Sequence, residues 1–337
     1  MRLLILGGTT YLGRHLAEHA LRAGHDVTLF NRGRTGRDLF PGVPRLIGDR
    51  TADGDPAGLT ALGAGTWDTV YDFSGFHPRQ VAATAGLLAP RIGRYVFMSS
   101  IAVYPPSAEA GRTEEAPLLP AEPDDGEYGN LKVACEQAAE GAVPGPATSV
   151  RAGLISGPGD PFGAFTSWAL AMAGDGVVPC AARASQPLQV TDVRDLAAFL
   201  LRVEPGPFNV VPPPITFAQM LDTCRRAGGA TATVTWTRNE NVDDLGRFIV
   251  QPRDGSADGA FQLSGERAAG GLPPPAVRGD GSGHDRVGAA NEGDLHQPAL
   301  TRIGLRHSRG DPKNSPDRLA RGPSAPRLSL GNVRPVD

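Results

Sequence analysis

The stretch that most constrains this chain is Leu3-Leu4-Ile5-Leu6-Gly7-Gly8-Thr9-Thr10-Tyr11-Leu12-Gly13. Its short all-apolar run predicts a strand, and glycines follow at once. Leu12, Leu16, Ala20 and Ala23 then recur at helical spacing, and the run ends at Gly24. The reading is strand, tight turn, helix. Gly7 suits turn geometries closed to other residues. Gly8 is expected to remove bulk where the backbone would approach a pyrophosphate, and Gly13 to let the helix sit close to the sheet. The helix N-terminus offers free N–H groups and partial positive charge to phosphates. His25 to Phe30 reads as a second buried strand, which completes a parallel strand–loop–helix–strand unit.

Composition sets few other limits. The chain has 337 residues, 40% of them apolar, enough for one large domain or two lobes. A formal charge of −3 gives no global pull toward nucleic acid or anionic membrane. Cys135, Cys180 and Cys224 are odd in number and lack metal spacing, which predicts a reducing cytoplasm and small buried thiols. No apolar run reaches membrane-spanning length, and the N-terminus meets Gly7 too soon for a signal segment. Of 33 basic residues only Lys132 and Lys313 are lysines, so a position that keeps Lys is expected to need it.

The second strand ends at Asn31, where an NAD-selective site usually carries an acid. Arg32 and Arg34 follow, and guanidinium forks suit a 2′-phosphate, so NADP(H) is the expected preference. Residues 44–50 predict a third strand ending near Asp49, by the adenine. Residues 67–75 predict a fourth, and Pro78 opens a helix through about Leu88. His77 lies at the tip of the fourth strand, as a ligand contact or an ordinary loop histidine. Residues 94–104 form the fifth strand and its loop. The polar, acidic stretch 105–127 is long enough for a substrate-side flap. Tyr128 then opens a helix on which Lys132 lies one turn away, on the same face.

Further strands are expected at 147–152, 208–211 and 231–236, with helices at 192–201 and 217–226. Trp168 and Met172 are expected on a packed helix face, and His15 and His19 on the solvent side of the first helix. Beyond about residue 265 aromatics and periodicity vanish, which predicts a disordered or aberrant tail, natural or frameshifted.

Taken together, Gly7–Gly13, Leu29–Gly33, Ser99–Tyr104, Tyr128–Lys132, Arg151–Asp160 and Asp192–Ala197 resemble the extended or atypical short-chain dehydrogenase/reductases of the NAD-dependent epimerase/dehydratase superfamily. The likeness runs over about residues 1 to 270 and is nearest the actinobacterial reductase-like and chloroplast stem-loop-binding-protein-like branch. Thr10 departs from that family's G-x-x-G-x-x-G loop, standing where the middle glycine would be. The resemblance implies an α/β fold: a Rossmann-type doubly wound parallel sheet in residues 1–150, completed by about 188–215. A smaller interleaved substrate lobe would occupy 151–265.

It also implies a site. Ser100, Tyr128 and Lys132 match the family's catalytic Ser/Thr and Tyr-x-x-x-Lys. An ammonium near the phenol is expected to favour phenolate. The implied cofactor contacts are Gly7, Gly8, Thr9, Thr10, Tyr11, Leu12, Gly13, Asn31, Arg32, Arg34, Asp49, Ser74, Ser99 and Lys132, with NADP preferred over NAD. Dehydratases of the superfamily carry Asp-Glu after the catalytic Ser/Thr; here stand Ile101 and Ala102, which speaks against dehydration. The expectation is an oxidoreductase or epimerase acting on a secondary alcohol or ketone. Its partner would be a small-molecule substrate, a sugar nucleotide among the candidates, with no nucleic acid and no membrane, and a homodimer is allowed. The alternative is a cofactor-binding redox sensor or RNA-associated protein without turnover.

Overall fold

Leu3, Leu4, Ile5 and Leu6 are fully buried, which requires a central strand with both faces covered. The computed structural model describes residues 1–50, 56–124, 126–238 and 249–269. Of the expected tail, residues 266–269 are described and form a helical turn whose Ala268 joins the core, and the rest lies outside the described residues. In chain order the first half runs β1 (Arg2–Leu6), α1 (Tyr11–Arg22), β2 (Asp26–Asn31), β3 (Arg45–Ile47), β4 (Trp67–Asp72), α2 (Pro78–Leu88), β5 (Ile92–Ser100), α3 (Tyr128–Ala142) and β6 (Thr148–Ala152). The second half runs β7 (Leu154–Ser156), α4 (Ala164–Met172), β8 (Val177–Cys180), β9 (Pro187–Leu188), β10 (Val190–Asp192), α5 (Val193–Leu200), β11 (Gly206–Val210), β12 (Ile215–Thr216), α6 (Phe217–Gly228), β13 (Thr233–Trp236) and α7 (Glu266–Ala269).

Seven strands form one parallel sheet in the order β11-β6-β5-β4-β1-β2-β3. This is the expected Rossmann-type architecture. The chain leaves β1 toward β2 on one side and returns as β4 on the other. The crevice above that switch point is where such sheets bind ligands. Leu3, Ile5, Val96 and Val150 face a core shared with Leu16 and Ala20 of α1 and Leu196 and Phe199 of α5. Leu4, Leu6, Val70 and Phe97 face Val81 and Ala85 of α2 and Cys135 and Ala139 of α3. A second core joins α4 and α6, where Trp168 meets Phe217 edge to face at 5.3 Å. Trp168 and Met172 are thus packed side chains, and the three cysteines are buried and free.

Three expectations change. β3 is only three residues, because at Gly48 the chain presses on Gly58 and the Phe30 ring, where a Cβ would stand 2.3 and 2.6 Å from them. Asp49 and Arg50 therefore leave the strand, and Arg50 turns inward to burial. His15 faces solvent only in part: its Nε2 lies 2.8 Å from the Pro158 carbonyl. The stretch 105–127 is pinned rather than a free flap. Glu114 accepts the Asn209 N–H at 2.7 Å, Arg151 donates to the Glu114 carbonyl at 3.1 Å, and Gly111 N–H donates to Gln262 O at 2.6 Å.

Candidate active site

The turn after β1 is built from glycine for reasons that differ by position. Gly7 and Gly8 have φ of +120° and +80°, values costly for residues with a Cβ. A Cβ on Gly8 would stand 2.7 Å from the Leu29 side chain and 3.3 Å from Ile5. The core beneath Gly8 thus also disfavours a side chain at that position. A Cβ on Gly13 would stand 2.6 Å from the Gly8 nitrogen, so Gly13 lets α1 close on the turn. Thr9 is buried, its hydroxyl 3.4 Å from that of Thr35. Thr10 is exposed at the N-cap of α1, with no side-chain cap and no acid in the first turn. The helix start keeps unneutralised N–H dipoles, a geometry that accepts an anion. Leu12 belongs to the core. Tyr11 sits in a left-handed conformation, φ 37°. Its hydroxyl has no partner among the described residues, and burial, then Asp160 and Asp192, push that phenol up.

At the end of β2, the Asn31 side chain accepts the Gly33 N–H at 2.9 Å and reaches the Gly7 carbonyl at 3.5 Å. It ties the glycine turn to the loop carrying Arg32 and Arg34, both exposed. Arg34 lies 3.6 Å from Asp49. Asn31, Arg34 and Asp49 thus surround one edge of the crevice.

The other edge carries the serine, tyrosine and lysine. Tyr128 is the first residue of α3. A Cβ on the next residue, Gly129, would stand 2.2 Å from the Ala102 carbonyl, so glycine lets α3 close on the turn after β5. That approach brings the Tyr128 phenol beside the Ser100 side chain. Ser100 accepts the Ala102 N–H at 3.2 Å, which fixes its rotamer. Tyr128 is 37% exposed. Burial pushes the phenol above its ordinary value, and the Ser100 side chain offsets this only in part.

Lys132 is 5% exposed and donates to the carbonyls of Gly75 and Met98, each at 2.9 Å. The Phe97, Phe76 and Tyr128 ring centroids lie 4.7, 5.1 and 5.9 Å from its nitrogen. Burial lowers its pKa to about 8. Burial acts against charge on both groups, raising the phenol and lowering the amine.

Ser74 and Ser99 flank this lysine differently. Ser74 donates its N–H to Asp72 at 3.0 Å. Ser99 is buried on β5, with no partner for its hydroxyl among the described residues. His77 is the N-cap of α2, and its carbonyl accepts from Gln80 and Val81.

Sequence reasoning passed over two buried clusters. In one, Asp72 bonds Arg50 at 2.6 Å and the Tyr95 hydroxyl at 2.7 Å. In the other, Arg151 grips Glu136 through bonds of 3.0 and 2.7 Å and also bonds the Tyr104 hydroxyl at 2.9 Å. The available signals were an acid closing an otherwise buried strand and a Glu one turn beyond Lys132. Among the described residues no group of three His, Cys, Asp or Glu side chains could hold a metal ion, and no helix is long and apolar enough to cross a membrane.

No family model matches the chain. A curated relative, the chloroplast stem-loop binding protein of 41 kDa b of Arabidopsis thaliana, is 28% identical over 272 residues, spanning 74% of this chain and 69% of its own. Among solved structures, a candidate epimerase from Burkholderia cenocepacia superposes with a TM-score of 0.62 at 20% identity, over 80% of this chain and 91% of its own. The human epimerase family protein SDR39U1 with NADPH gives 0.58 at 22% identity, over 90% and 99%. Thermus thermophilus UDP-glucose 4-epimerase in complex with NAD gives 0.56 at 18% identity, over 77% and 97%. With its glycine turn at the β1/β4 switch point, the chain has the Rossmann-type fold that these solved structures share.

Proposed function

We propose that the chain is an NAD(P)-dependent oxidoreductase that transfers hydride at a secondary alcohol or ketone, with Tyr128 as general acid/base. The observation that carries this reading is the placing of Ser100 at the end of β5 beside Tyr128, with Lys132 one turn along α3 at the carboxyl edge of the sheet. The residues at the crevice suit a dinucleotide. The turn has no room for a Cβ at Gly8 or Gly13, and the start of α1 carries neither a side-chain cap nor an acid. Gly7–Gly13 would hold the pyrophosphate and Asp49 the adenosine. Asn31, Arg32 and Arg34 would receive a 2′-phosphate, and Ser74, Ser99 and Lys132 would line the nicotinamide ribose side. When bound, that cofactor gives or takes the hydride.

The chain's own groups do the rest. Ser100 bonds the substrate oxygen and fixes its place. Tyr128, neutral with a raised pKa, gives its proton to that oxygen, a state prepared for carbonyl reduction. Lys132 keeps a positive charge beside the phenol and stabilises the phenolate left by the transfer until solvent returns the proton. Ile101 and Ala102 offer no acid for dehydration. A sugar nucleotide is the substrate class we favour, since the Thermus neighbour is a UDP-glucose 4-epimerase.

The test is fluorescence titration with NADPH and NADH, followed by a screen of carbonyl compounds, sugar nucleotides included, with the tighter cofactor. Binding and turnover are expected. Absence of cofactor binding would overturn the reading. One observation favours a second reading: the Arabidopsis relative is a stem-loop binding protein. That reading predicts salt-sensitive binding of stem-loop RNA, whereas the net charge of −3 supplies no general attraction for it.

A further inference from the structure

Among the described residues the ammonium of Lys132 touches no carboxylate; its two acceptors are main-chain carbonyls. One of them belongs to Gly75, at the end of the short turn that follows β4. That turn is held from its base by Asp72, the last residue of β4 and wholly buried. The Asp72 carboxylate accepts the Ser74 N–H at 3.0 Å and the Tyr95 hydroxyl at 2.7 Å. It also accepts Arg50 at 2.6 Å, and Arg50 reaches on to the Gln80 carbonyl at 2.9 Å. The turn closes so tightly over Asp72 that a Cβ on Gly75 would stand 3.0 Å from Asp72 Oδ2 and 2.6 Å from Phe97.

We propose that Asp72 is a positioning residue that sets both the place and the charge of Lys132. Its carboxylate anchors the turn whose last carbonyl receives the ammonium, and it presents the negative charge to that side. Arg50 and Tyr95 keep the carboxylate ionised and in place. The inference deepens the proposed active site, because it concerns that site's lysine.

Cys135 and Glu136 also favour the charged lysine, but no bond among the described residues joins either to this turn. On α3, Glu136 is paired with Arg151 of β6 by two bonds. Cys135 is a thiol pushed up to about 11 by burial, and Tyr128 is a raised phenol. On β5, Tyr95 is raised by burial and by Asp72. From α2, Val81 and Ala85 reach this core, while Arg79 is exposed and pairs with Asp124. Burial would raise the Asp72 carboxyl, but Arg50, Tyr95 and the Ser74 N–H outweigh it and hold the group below the ordinary carboxylate range.

The two-lysine composition permits a direct test. In a full chain carrying Lys313→Arg, Lys132 is the sole lysine, and a ¹³Cε-lysine label reports its titration by NMR without cofactor or substrate. The parent is expected to titrate near 8. Asp72→Asn should lower that midpoint by about one pH unit, and Arg50→Gln should raise it. If Asp72→Asn alone does not fold, Asp72→Asn with Arg50→Gln removes the pair together. Its midpoint should then lie below that of Arg50→Gln. A merely structural role predicts no opposed shifts. An unchanged midpoint on loss of Asp72, or shifts of one sign in both single variants, would overturn the proposal. Opposed shifts in a protein that binds no NADPH would leave it standing and sink the cofactor reading instead.

Discussion

Arg151 holds Glu136 in a two-pronged buried pair, and Glu136 stands one turn beyond Lys132 on α3. The same guanidinium bonds the Tyr104 hydroxyl at the turn after β5 and the Glu114 carbonyl in the long loop. One side chain on β6 thus joins the helix of Tyr128, the strand end of Ser100 and the loop between them. Removing one partner leaves an uncompensated buried charge. Glu136→Gln should therefore destabilise the fold by about 3–5 kcal/mol, and Glu136→Gln with Arg151→Met should cost less than the sum of the two. Urea denaturation followed by tryptophan fluorescence checks this; strict additivity would show that the pair does not couple.

Gly13 should resist even a methyl group. Its Cβ would stand 2.6 Å from backbone nitrogen, which cannot swing aside as a flexible side chain would. Gly13→Ala is expected to cost about 1–3 kcal/mol by overpacking and to weaken dinucleotide binding as α1 shifts from the turn. Gly86→Ala is the control: it lies in α2 with nothing within 4 Å of its Cβ, so it should be neutral or stabilising. Thermal melts of both variants make the comparison.

Cofactor preference should follow the β2 loop. Arg32 and Arg34 are exposed there, and Asn31 replaces the acid that would bond a ribose 2′-hydroxyl. NADPH should bind more tightly than NADH, and Arg32→Asp should reverse the order. Because the guanidinium groups are exposed, the NADPH advantage should shrink as ionic strength rises. Titrations at two salt concentrations decide it; tighter NADH binding by the parent chain would refute the preference.

The parts of this fold legible in sequence are those with a local cause. The run Leu3–Leu6 marks a strand buried on both faces, and Pro78 and Tyr128 mark helix starts found at those residues. Lys132 drew notice because an Arg-rich chain kept it. What sequence concealed depends on residues far apart. Arg50 and Asp72 are 22 positions apart, and Glu136 and Arg151 are 15, with no periodicity to announce either pair. Nor does a glycine reveal which neighbour crowds its Cβ; at Gly8 it is Leu29, on the adjacent strand. The raised Tyr128 phenol was hidden as well, since desolvation is a property of the packed chain.

Turnover should fail in distinguishable ways when the site's groups are removed singly. Tyr128→Phe deletes one hydroxyl and leaves the ring beside Lys132. Cofactor affinity should hold, while turnover falls by about 10²–10⁴-fold, the usual contribution of a placed proton donor. Ser100→Ala removes the side-chain hydroxyl beside that phenol and should lower turnover with little change in affinity. Lys132→Met should lower both, since the lysine would hold ribose as well as supply charge. The pH profile separates these roles further. The Tyr128 phenol lies above its ordinary value, so it stays protonated through neutral pH and cannot set a limb near 8. Lys132, lowered to about 8 by burial, is charged below that pH and neutral above it. If its charge is required, kcat/KM for reduction should fall as pH rises through about 8, and that limb should vanish in Lys132→Met. A limb that persists in Lys132→Met would assign the titration to another group, and near-full turnover by Tyr128→Phe would remove the tyrosine from the mechanism.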